Sequence, residues 1–219
     1  MPVFHGGGKA QTKSAVSYKN PVVDIAMPDP TVIKAADGYF YVYATESTRN
    51  VPIMKSKDLV QWTYCNTAFT NKTRPRFEPK AGIWAPDINY INGKYVLYYA
   101  MSVWGGEQTC GIGVATADSP QGPFTDHGKM FRSNEIGVQN SIDPSFLQYE
   151  GRNYLVWGSF RGIYVIELTA DGLSIMSGAK KKRIAGTAFE AVYIHKHGDY
   201  YYMFASIGSC CRGVENTYK

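Results

Sequence analysis

The chain has 219 residues, 44% of them hydrophobic and 19% charged, with 17 Tyr, 10 Phe and 22 Gly and a formal net charge of +5. No apolar run approaches the roughly 20 residues a membrane helix needs, which argues against a membrane partner, and the richness in aromatic residues and glycine points to an all-β chain. The basic residues are scattered apart from Lys180-Lys181-Lys182-Arg183, read as a solvated turn between strands, so nothing favours a nucleic-acid partner.

Residues 1–20 lack both strand periodicity and the apolar centre of a signal peptide, and read as an N-terminal arm. The first hairpin follows: Pro28-Asp29-Pro30 enters Thr31-Val32-Ile33, Asp37-Gly38 turns, and Tyr39-Phe40-Tyr41-Val42-Tyr43 leaves. Asp-Gly and Asn-Gly pairs between β-branched and aromatic runs favour the positive φ of a tight hairpin. Val51 to Ser56 and Leu59 to Tyr64 are expected to add two strands, with Trp62 in the core.

The same plan recurs. Asp87 enters Ile88-Asn89-Tyr90-Ile91, turns at Asn92-Gly93 and leaves through Tyr95 to Tyr99, with further strands expected at Cys110 to Thr116 and Pro123 to Thr125. Asp143-Pro144 opens the third copy, which turns at Glu150-Gly151, leaves through Tyr154 to Trp157, and continues at Gly162 to Leu168 and Leu173 to Ile175. Glu190 opens the fourth, turning at His197-Gly198 before Tyr200 to Phe204. A period of about 50 residues fits propeller blades of four short strands, which pack on one another because none closes a core alone. A β-sandwich with similar hairpins is the alternative. The fourth copy reaches Lys219 as Asn216-Thr217-Tyr218 would open its third strand. Residues 21–219 are therefore expected to form about three and a half blades, with a second chain or further sequence completing the ring.

In a propeller the first strand of each blade lines the axis, so Asp29, Asp87, Asp143 and Glu190 should converge on one funnel. Crowded carboxyls push one another's pKa values apart, which lets a protonated acid and an ionised base coexist. Taken singly, an Asp before Pro can be a turn cap. Cys65, Cys110, Cys210 and Cys211 have no metal-site spacing, and no metal ligand can be named; Cys210 and Cys211 could form a vicinal disulfide or stay reduced. His5, His127, His195 and His197 read as surface or turn residues. Trp84 and Trp104, the latter in Ser102-Val103-Trp104-Gly105-Gly106, are candidate platforms for a sugar face. Asn140 and Ser159 are candidate hydroxyl contacts, and Trp157 is expected in the core.

Asn20-Pro21, Pro28-Asp29-Pro30, Trp84-Ala85-Pro86-Asp87, Ile142-Asp143-Pro144-Ser145, Trp157-Gly158-Ser159-Phe160 and Phe189-Glu190-Ala191 together resemble glycoside hydrolase family 43, five-bladed propeller enzymes acting on arabinose- and xylose-containing polysaccharides. The resemblance implies Asp29 as general base, Glu190 as general acid and Asp143 as the residue that orients and tunes the acid. Gly208-Ser209-Cys210-Cys211-Arg212-Gly213 with Asn216-Thr217-Tyr218 resembles the arabinanase branch, implying inverting cleavage of α-1,5-linked arabinan. Arabinofuranosidase, xylosidase or purely sugar-binding roles are the alternatives. The resemblance further implies no organic cofactor, a calcium ion at the axis held partly by a histidine from a fifth blade, a polysaccharide substrate, and a secreted or periplasmic location, with a cytoplasmic one as the alternative.

Overall fold

In the computed structural model residues 17–208 are described; the readings placed on His5, Cys210, Cys211 and the segment up to Tyr218 lie outside them. Three four-stranded antiparallel sheets and one hairpin follow one another in chain order. The first sheet is β1 (Thr31–Lys34), β2 (Phe40–Tyr43), β3 (Pro52–Ser56) and β4 (Thr63–Thr67). The second holds β5 (Gly82–Ile91), β6 (Lys94–Ser102), β7 (Gly111–Ala117) and β8 (Thr125–Arg132), and the third β9 (Ser145–Tyr149), β10 (Arg152–Trp157), β11 (Ile163–Leu168) and β12 (Lys182–Ala185). The hairpin is β13 (Phe189–His197) with β14 (Tyr200–Ile207). Each sheet is a simple meander, and the opening strands β1, β5, β9 and β13 touch their neighbours in turn. This is β-propeller architecture.

The turns explain the hairpins. Asn92 and Gly93, with φ of 48° and 83°, and Glu150 and Gly151, with 49° and 74°, sit between the paired residues Ile91 and Lys94 and Tyr149 and Arg152. Positive φ at both central residues matches the right-handed twist of the flanking strands.

Packing between sheets supplies the core. Tyr41, Tyr43 and Ile53 of the first blade meet Leu97, Tyr99 and Met101 of the second, while Val96, Tyr98 and Val114 face Leu155 and Trp157 of the third. Successive β6 side chains thus serve opposite interfaces, which is why the run Tyr95 to Met101 is apolar without alternation. Val156 and Ile163 meet Val192 across the third interface. Trp157 is fully buried, as expected.

Several strand readings need correction. Leu59 to Tyr64 is largely a loop, because the Asp58 carboxylate accepts from Val60 N and Gln61 N and the Ser56 hydroxyl from Asp58 N and Leu59 N. Trp62 is half-buried in that loop, donating to Leu59 O rather than packing in a core. In the second blade the outer strand begins at Thr125, with Phe124 buried between blades. In the third, Leu173 to Ile175 makes only a bridge to Leu168, its apolar side chains covering the core, and Lys182 and Arg183 of the basic stretch read as a turn open β12 instead. Charged residues suit that outermost strand, since they discourage pairing with another chain.

Candidate active site

The opening strands line a funnel of about 1110 Å³ that brings together Asp29, Asp87, Asp143, Glu190, Trp84 and Trp104. Their registers show how. Thr31 pairs with Tyr43, Asp87 with Tyr98, Ser145 with Val156 and Tyr193 with Phe204, so these four opening residues are equivalent between blades. Two residues earlier stand Asp29, Ala85, Asp143 and Ala191, all in the left-handed region with φ of 49°, 39°, 57° and 50°. The first three precede proline, which disfavours helical backbone at the preceding residue. The same strained kink therefore recurs at every funnel entrance, and such strain gathers at functional sites.

The four acids converge on the funnel but are not in register. Asp29 and Asp143 share the kink position, Glu190 lies one residue before it, and Asp87 lies two residues after it, deeper along the strand. Depth separates their environments. Asp29 is exposed, Asp143 and Glu190 are half-buried, and Asp87 is buried.

Each carboxylate has its own partners. Thr45 donates to Asp29 Oδ2 at 2.6 Å, Ala191 N donates to Asp143 Oδ2 at 3.2 Å, and Ser159 donates to Glu190 Oε2 at 3.2 Å. Burial, then the neighbouring charges of Glu190 and Asp29, push Asp143 up to about 7. Glu190 is also raised, by burial and the charge of Asp29, against the lowering effect of the Ser159 hydrogen bond. The cluster therefore holds a proton near neutral pH. The sequence reading placed that raised proton affinity on Glu190; the larger push falls on Asp143.

Asp87 differs in kind. Its Oδ2 accepts from Phe146 N at 2.7 Å and Asn89 Nδ2 at 2.8 Å, and its Oδ1 accepts from Thr31 Oγ1 at 3.4 Å. Burial pushes it up to about 6. Tied to three blades, it acts as a clasp of the axis while still lining the funnel. Ser159 and Asn140 are corrected: Ser159 is 2% exposed with its hydroxyl given to Glu190, and the Asn140 amide donates to Ser159 O at 3.0 Å, so neither reaches the funnel. Trp104, 79% exposed, and half-buried Trp84 stand with ring centroids 6.4 Å apart on the funnel wall, an open aromatic surface suited to a sugar face. Sequence reasoning missed Thr45 and Tyr193, the latter 53% exposed in the funnel.

Among the described residues no group of three or more His, Cys, Asp or Glu side chains is placed to hold a metal ion. His127, His195 and His197 are exposed, as read from the sequence.

The family description for glycosyl hydrolases family 43 matches residues 18–219. The chain is 36% identical over 204 residues to the extracellular endo-α-(1→5)-L-arabinanase 1 of Bacillus subtilis strain 168, covering 87% of this chain and 62% of that protein. It therefore spans about three fifths of that relative's length. Among solved structures, a Cellvibrio cellulosa α-L-arabinanase complexed with arabinohexaose superposes with a TM-score of 0.75 at 29% identity, over 86% of this chain and 67% of the other. An exo-1,5-α-L-arabinanase from a bovine ruminal metagenomic library gives 0.72 at 32% identity, over 85% and 66%.

Proposed function

The chain belongs to glycosyl hydrolases family 43, and from that premise we propose that it hydrolyses α-1,5-linked L-arabinan with inversion at the anomeric carbon. The observation that carries this reading is the convergence of Asp29, Asp143 and Glu190 on one funnel beside an open tryptophan pair. Asp29 is the general base: exposed and hydrogen-bonded on Oδ2, it takes a proton from a water whose oxygen attacks C1 of the arabinofuranosyl unit. Glu190 is the general acid and delivers its proton to the glycosidic oxygen as the C1–O bond breaks. One water is consumed, and the new hydroxyl stands on the face opposite the departing chain. Asp143, anchored to the backbone beside Glu190 by Ala191 N, keeps a proton within the cluster at neutral pH and orients the acid.

Two named relatives bear on substrate and place: the structure with arabinohexaose supports an oligosaccharide along the tryptophans, and the extracellular Bacillus subtilis enzyme supports secretion. A polymer too large to cross a membrane fits that location. The likeness to the exo-acting arabinanase favours a second reading, cleavage from a chain end.

Incubation with linear debranched arabinan tests the reading. Release of a ladder of arabino-oligosaccharides is the expected result, release of only one short product would favour the exo reading, and release of xylose from xylan but nothing from arabinan would contradict the substrate.

A further inference from the structure

We infer that Thr45, two residues past the end of β2, is the positioning residue that aims the base, an inference resting on the reading of Asp29 as base. The Thr45 hydroxyl has one proton to give. Its oxygen already accepts Ala85 N–H at 2.7 Å, so the proton is directed to Asp29 Oδ2 at 2.6 Å. Among the described residues no donor reaches Asp29 Oδ1, which leaves that oxygen for the attacking water. The β-branched side chain is stiff at χ1, so the direction of the donor is set by the backbone.

That backbone is held from both sides. Thr45 N donates to Pro28 O at 2.9 Å, so one residue grips both the carbonyl before Asp29 and its carboxylate. Glu46 N donates to Ile83 O at 3.1 Å and Glu46 Oε1 accepts from Ile83 N at 2.9 Å, fastening the same segment to the start of β5. Arg74 closes the brace, pairing with Glu46 at 2.5 Å and donating to Ala81 O at 2.8 Å, both side chains of the pair being buried. Kinked Ala85 therefore presents its N–H from a fixed strand, and the orientation of Asp29 in the first blade depends on the second.

The test compares T45V, which keeps the shape and removes donor and acceptor, with T45S, which keeps both, alongside D29N, all in the full chain on linear arabinan. T45V is expected to lower kcat by about tenfold to a hundredfold with KM within about twofold, as misaimed catalytic groups do, and T45S to stay within about threefold of the starting protein. Should T45V fail to fold, T45A removes the same hydroxyl while leaving room for water at Ala85 N–H. The carbon-13 carboxyl resonance of Asp29 reads the contact without turnover: it moves in T45V or T45A and stays in T45S. Unchanged kcat and an unmoved resonance in the hydroxyl-free variant, with D29N inactive, would overturn the inference alone. An active D29N would overturn the base assignment and this inference with it.

Discussion

Replacing Glu190 with Gln is expected to lower kcat on arabinan by about a thousandfold, within the range ascribed to general acid–base catalysis, while binding of arabino-oligosaccharides and the fold persist. The amide is nearly isosteric and can still accept from Ser159, whose hydroxyl holds Oε2 at 3.2 Å. It has no proton of useful acidity. The loss should therefore depend on the leaving group: an aryl arabinotrioside whose phenolate departs unaided should be cleaved by E190Q far better than arabinan is. D29N, which lacks the base, should lose both activities. Equal losses on both substrates in E190Q would remove Glu190 from the role of acid.

The second large effect concerns stability. The Asp143 carboxyl titrates at about 7 in the folded chain against an ordinary value of 3.8, because burial and the charges of Glu190 and Asp29 disfavour its ionised form. A carboxyl raised on folding contributes stability that is fully present below the unfolded value and is lost as pH rises through the folded one. This group therefore destabilises the chain progressively from about pH 4 to pH 7 and by a constant amount above that, and Asn at the same place does not. D143N is expected to be the more stable protein at pH 8 by on the order of 2 kcal/mol, after discounting for the water that reaches this half-buried group, with the advantage vanishing near pH 4. Urea midpoints at pH 4.5 and pH 8 measure it. Parallel pH slopes for the two proteins would show that Asp143 carries no such load. A gain in stability with loss of turnover is the expected mark of a residue kept for chemistry.

The parts of this molecule that could be read in advance are those set by near neighbours in the chain. Asn92-Gly93 and Glu150-Gly151 dictate their turns through φ alone, and the repeated acid before each turn marked the funnel. Residues whose roles depend on the next blade could not be read this way. Ser159 looked like a sugar contact beside Trp157-Gly158, yet the neighbouring hairpin delivers Glu190 to its hydroxyl. Asp87 lines the funnel as read, but its position two residues past the kink buries it against Phe146 N of the third blade. Thr45 carried no motif, because its partners Asp29 and Ala85 come from two separate strand entrances. The basic stretch before Ile184 was read as a turn because outer strands are exposed and lack the apolar alternation that signals a strand.

The central claim, that Asp29 delivers water to one face of the sugar while Glu190 protonates the bond on the other, has a stereochemical signature. Proton NMR of linear α-1,5-arabinan cleaved by the full chain, recorded before mutarotation mixes the anomers, follows the configuration of the first reducing end released. The account predicts the β-anomer first. Initial appearance of the α-anomer would mean a covalent intermediate and retention, and would contradict it.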